Sequence, residues 1–249
     1  MRVLVVTAVA AEASSVARGL PASATRTTRP LPTGSVLTSH ALTGGVVIDV
    51  VDAGVGPAAA AVGAATALAA APHPYGLVIS AGIGGGFVPR APLGTLVVSD
   101  AIVAADLGAE TPEGYLAVER LGFGRSVHVP PPALVRALAD AVRHGTRPPV
   151  CLVAPVLTVS TVTGTAARAA ELAARHPGAG AEAMEGFGVA EAAAAHGVPA
   201  VELRAVSNAV GPRDRAAWRI GEALDGLSAA FEALSASFPF PDLLEDRAP

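Results

Sequence analysis

The sequence predicts an α/β fold, and two patterns carry that expectation. Short apolar runs of strand length alternate with alanine-rich stretches of helical length. The run Leu77–Ser80 then feeds directly into Ala81-Gly82-Ile83-Gly84-Gly85-Gly86, a glycine-rich segment of the kind that follows a buried strand near a ligand. With 51% of 249 residues hydrophobic and 15% charged, the chain can bury one large core. A single domain over residues 1–249, with a loose tail from 239, is expected.

In order, Val3–Val6 reads as the first strand and Ala10–Leu20 as a helix stopped by Pro21. Pro21–Pro32, with two Thr-Arg pairs at 25–26 and 28–29, reads as a loop or hairpin entry. Ser35–Leu42 and Val46–Asp52 are strands around the turn Thr43-Gly44-Gly45. Gly54-Val55-Gly56-Pro57 opens a helix to about Ala71, with Pro57 in its first turn. Beyond the glycine segment, read as a turn, Thr95–Ala105 is a strand. Pro130-Pro131-Pro132 precedes a helix to about His144. Val150–Ser160 is a strand interrupted by Pro155. Thr165–His176 and Gly186–His196 are helices, Ala200–Val206 is a strand, and Ala216–Phe238 is the last helix.

Composition excludes several functions. Net charge is -4, so no basic field exists for nucleic acid or an anionic membrane surface. The N-terminal apolar run is too short to be a signal or a membrane span, and a cytoplasmic protein is expected. All 17 basic residues are arginine, so no Schiff-base lysine is available. Cys151 is the only cysteine, which rules out an internal disulfide. The six histidines are scattered and no CxxC or HExxH occurs, so no metal is expected. There is no GxSxG elbow and no P-loop.

Chemistry concentrates at a few polar residues in apolar surroundings. Glu12 follows the C-terminal end of the first strand, where ligands sit in open α/β sheets; it is equally readable as a first-turn carboxylate favoured by the helix dipole. Met184-Glu185 precedes an alanine-rich helix. A carboxylate in so uncharged a stretch must be paired or used, and Arg204 is a candidate partner. Ser207-Asn208 ends an apolar strand, either as turn residues or as hydrogen-bonding groups toward a ligand.

Taken together, Val3 through Glu12, Leu77 through Asp106 and Val159 through Asn208 resemble the purine nucleoside phosphorylase and nucleosidase superfamily, most nearly its methylthioadenosine/S-adenosylhomocysteine nucleosidase branch. Residues 78–87 look like that family's sugar-side turn, Met184-Glu185 like its ribose-binding pair, and Arg204–Asn208 like its base-recognising strand. The resemblance implies a three-layer α/β/α architecture around a mixed, partly barrel-like sheet. It also implies a small-molecule nucleoside substrate, no cofactor and a homo-oligomer.

Three departures from the family pattern bear on activity. Ser80 stands where the phosphorylases carry a phosphate-binding arginine, Ile83 replaces a usual serine or threonine, and the first loop carries Glu12. Water is therefore the expected nucleophile, with Glu12 as its base and Arg204 helping to position it. Glu185 would hold the ribose hydroxyls over Met184, and Gly82 and Ile83 would line the sugar side. Adenine-specific nucleosidases place an aspartate where this chain has Asn208. An amide donates and accepts but supplies no acid proton, which suits a 6-oxopurine. Asn208, helped by Ser207, would hold the base, and backbone groups at Val162 and Thr163 would contact its edge. Phe187 offers a stacking surface or plain core. Arg213 or Arg215, on the surface or in the site, could bind a substrate carboxylate. The run Ser207–Arg215 followed by Trp218 resembles the futalosine hydrolases, which imply hypoxanthine release from futalosine. A phosphorylase, an adenosine-type nucleosidase and a non-catalytic nucleoside-binding protein are the alternatives.

Overall fold

Alternation along one strand sets the layers. In β1 (Arg2–Thr7), Val3 and Val5 point to one face of the sheet and Leu4 and Val6 to the other, and all four are buried. Val3 and Val5 meet a helical layer of α1 (Ala10–Gly19), α3 (Pro132–Arg143) and α6 (Ile220–Ser237) through Val16, Leu138 and Phe231. Leu4 and Val6 meet α2 (Pro57–Ala69) and α5 (Gly186–Ala195) through Ala60, Ala64 and Val189. The result is the expected three-layer α/β/α arrangement. The computed structural model describes residues 1–237. Phe238 of the expected last helix and the expected tail from 239 lie outside them.

The remaining strands are β2 (Thr25–Pro30), β3 (Val36–Ala41), β4 (Val47–Asp52), β5 (Leu77–Gly86), β6 (Leu96–Ala104), β7 (Gly108–Thr111), β8 (Gly114–Ala117), β9 (Val127–His128), β10 (Cys151–Thr158), β11 (Ala181–Ala183) and β12 (Ala200–Ala209); α4 is Ala166–Arg175. The main sheet runs β11-β10-β6-β12-β5-β1-β4-β3-β2, with β9 on β6. Its ladders are mixed: β1, β4, β5 and β12 pair in parallel, whereas β6–β12 is antiparallel. β11 pairs with β5 as well as β10, so β5, β12, β6, β10 and β11 close into a five-stranded ring. Small apolar side chains fill it, among them Val97, Ala154, Val156, Ala181 and Val206.

Several expectations need correction. The segment 81–86 is not a turn: β5 runs straight through it, and none of its glycines has a positive φ. Glycine is required there because neighbouring chains press on both faces. A Cβ at Gly84 would strike the Glu182 carbonyl, and one at Gly86 the Ala91 carbonyl. Residues 25–30, expected as a loop or hairpin entry, are the first arm of a hairpin with β3 and form the edge strand β2, whose charged and polar exposed side chains suit an edge. The short strands β7, β8, β9 and β11 carry too little pattern to be read. The last helix starts at Ile220, after a 3₁₀ turn at Arg215–Ala217. Pro155 behaves as expected, shifting the β10 register between Ala154 and Val156. Among the described residues no helix is long and apolar enough to cross a membrane.

Candidate active site

Three strand ends converge. β1 delivers the chain to the first turn of α1, which carries Glu12. The glycine half of β5 crosses in front of it. β12 lies beside β5 with Arg204 in register with Gly82.

Glu12 is buried, and its carboxylate is held by three backbone N–H groups. Oε2 accepts from Ala8 at 3.0 Å and from Val9 at 3.3 Å, and Oε1 accepts from Ile83 at 2.9 Å. An ionised carboxylate has about four acceptor sites, so one remains open for a water molecule. A side chain at Gly82 would collide with both Glu12 Oε1 and Arg204 Nη1. The acid and the guanidinium therefore straddle this glycine, and Gly82 is required by that crossing.

Arg204 is the largest fully buried side chain. Its Nε donates to Glu202 Oε1 at 2.7 Å, and its Nη2 donates to Ser80 Oγ at 3.1 Å and lies 3.2 Å from Glu185 Oε2. Burial alone would weaken the guanidinium's hold on its proton. Glu202, then Glu185 and Glu12, overcome that and push its pKa up. Burial pushes the Glu202 carboxyl up, against the pull of Arg204. Glu185 Oε1 accepts from Gly56 N at 3.1 Å, so the N-terminus of α2 anchors it. Met184 is half-buried beside it.

At the end of β12, a register shift between Val206 and Asn208 re-aims the strand. Ser207 Oγ donates to Asn208 Oδ1 at 2.9 Å, and Asn208 Nδ2 donates to the Ala209 carbonyl at 2.9 Å. One amide N–H of Asn208 remains open.

The other expected residues are placed as follows. Val162 is exposed. Thr163, one of the two residues with backbone groups expected at the purine edge, is buried; its backbone N–H donates to Glu182 Oε1 at 2.8 Å, and its hydroxyl donates to Glu182 Oε2. The Phe187 ring packs with Ile102, Ala104 and Ala190 and tilts against His128 at 5.3 Å, so it belongs to the core. Arg213 is exposed, its stem beside Gly164 and its guanidinium 5.4 Å from the Trp218 ring.

Sequence reasoning passed over Glu182 and Glu202. The available signal was the one that marked Glu185: a lone charge in an apolar run costs too much to be idle. Both are buried, and burial pushes the Glu182 carboxyl up as well. Among the described residues, no group of three His, Cys, Asp or Glu side chains is placed to hold a metal.

Residues 2–238 match the model of the phosphorylase superfamily. The chain is 61% identical over 238 residues to a futalosine hydrolase of Streptomyces coelicolor, covering 94% of this chain and 95% of that protein. It is 48% identical over 235 residues to a futalosine hydrolase of Acidothermus cellulolyticus, covering 94% and 91%. The native structure of futalosine hydrolase from Helicobacter pylori superposes with a TM-score of 0.79 at 16% identity, covering 96% and 98%, which shows the shared fold.

Proposed function

This chain belongs to the phosphorylase superfamily, and we propose that within it the chain hydrolyses the N-glycosidic bond of futalosine, releasing hypoxanthine and dehypoxanthinyl futalosine. The observation that carries the choice of water over phosphate is the charge around Arg204. This guanidinium is bonded to Glu202 and Glu185 and faces Glu12 across Gly82. Three carboxylates surround one cation, so a phosphate dianion would be repelled, whereas a neutral water and a cationic sugar are both favoured.

In the proposed reaction the C1′–N9 bond lengthens and its electron pair moves onto the purine. Glu185 holds the ribose hydroxyls and, with Glu12, stabilises the positive charge on the sugar. Glu12 takes one proton from the attacking water, and the remaining hydroxyl oxygen bonds to C1′. Asn208 donates its open N–H to the departing base, and hypoxanthine leaves as an anion that gains its proton from solvent. Met184 forms a pliable wall under the ribose.

A homo-oligomer and a cytoplasmic setting belong to the same proposal. Supporting the first, the segment 121–129 exposes four large apolar side chains, Leu121, Phe123, Val127 and Val129. The test is incubation with futalosine in phosphate-free buffer, with inosine and methylthioadenosine alongside. Hypoxanthine from futalosine is expected. Release only after phosphate is added would make the protein a phosphorylase.

A further inference from the structure

Gly85 of β5 has two neighbours in register: Asn208 of β12 on one side and Glu182 of β11 on the other. Residues directly opposite across a ladder share a face of the sheet. Glu182 and Asn208 therefore flank a strip at Gly85, which puts no side chain of its own between them, with Val210 at its border. That strip is open, since Gly84 and Gly85 are only half-buried. A side chain at Gly85 would crowd it: a Cβ there would stand 3.3 Å from Asn208 Nδ2 and 3.0 Å from Val210 Cγ2, tighter than ordinary contact. Two interstrand spacings put the flanking backbones about 10 Å apart. This is room for one flat ring with a hydrogen bond at each edge.

The two edges differ in chemistry. Asn208 offers an N–H. Glu182 offers acceptors only, when ionised. Thr163 fixes the carboxylate through its N–H and hydroxyl, which uses two of about four acceptor sites. No salt bridge joins Glu182 to any described residue. A carboxylate buried on those terms is costly unless something else donates to it.

We propose that Glu182 is the specificity-determining acceptor for the N1–H of a 6-oxopurine, opposite Asn208 on the other edge of the ring. This rests on the nucleosidase reading above and extends it to the discrimination of bases. A 6-oxopurine carries a hydrogen at N1 and donates it to the carboxylate. A 6-aminopurine presents a lone pair at N1, which faces the carboxylate lone pairs and leaves both unpaired. Sites that discriminate by burying an unpaired polar group do so strongly. In this arrangement the Thr163 N–H fixes the carboxylate instead of meeting the base itself.

The test is calorimetric binding of free hypoxanthine, 1-methylhypoxanthine and adenine to the intact protein and to Glu182→Gln, with thermal melts of both. The wild type should bind hypoxanthine at least about tenfold more tightly than either of the others. Glu182→Gln, which is isosteric and brings an amide N–H to face N1, should lower the hypoxanthine-to-adenine ratio about tenfold or more while melting near the wild type. An unchanged ratio in Glu182→Gln, or equal binding of hypoxanthine and its 1-methyl derivative by the wild type, overturns the assignment. These measurements need no turnover. Normal base discrimination with no hydrolysis of futalosine would overturn the proposed reaction and leave Glu182 standing. Hydrolysis with an unchanged ratio would do the reverse.

Discussion

Glu202 and Arg204, two residues apart on one strand, form an ion pair of 2.7 Å with both side chains almost wholly out of water. Among the described residues the other oxygen of Glu202 has no partner, so the pair is held by geometry rather than by full satisfaction. Breaking one side strands the other. Glu202→Ala should therefore cost about 3–5 kcal/mol of stability, read from urea unfolding. A loss below about 1 kcal/mol would mean that Glu185 alone suffices for Arg204.

Glu12→Gln keeps the shape of the side chain and removes the base. Turnover of futalosine should fall about 10²- to 10⁴-fold, with substrate affinity little changed. Single-turnover kinetics beside equilibrium binding separates the two effects, and near-normal turnover would remove Glu12 from the chemistry.

Asn208→Asp replaces an amide donor with a carboxyl group, which in its protonated form can give a proton to N7 of adenine. The ratio of adenine to hypoxanthine released from matched nucleosides should rise about tenfold or more. An unchanged ratio would mean that Asn208 does not read the base.

Gly82→Ala puts a methyl group into the crossing of Glu12 and Arg204. Overpacking of this kind costs about 1–3 kcal/mol. Because the displaced groups are the proposed base and its guanidinium neighbour, kcat should drop far more than the melting temperature suggests. A variant that keeps its kcat would show that these two groups tolerate separation.

Burial raises the Glu182 carboxyl above its ordinary value of 4.5. The folded state then holds this proton more tightly than the unfolded one. The contribution to stability is fully present below the unfolded pKa and is lost as pH rises through the raised folded value. The stability of the wild type relative to Glu182→Gln should accordingly fall as pH rises from 4.5, measured by urea unfolding at a series of pH values. A relative stability that rises with pH would reverse the sign of this shift.

The sequence by itself determined the alternation of strands and helices, because buried strands and amphipathic helices leave periodic signatures. It also marked Glu12, Glu185, Arg204 and Asn208, because polar groups at the ends of apolar runs stand out chemically. The tertiary structure alone decided the rest. The glycine-rich segment 82–86 reads as a turn from composition, yet β12 and β11 clamp it into an extended strand. Phe187 could have faced a ligand, and only the packing against Ile102 and Ala190 put it in the core. Glu182 lies on a strand of three residues, too short for any period to show. Its place opposite Asn208 across Gly85 comes from the register of three strands that are far apart in the chain. Register is a property of long-range pairing, and no local pattern encodes it.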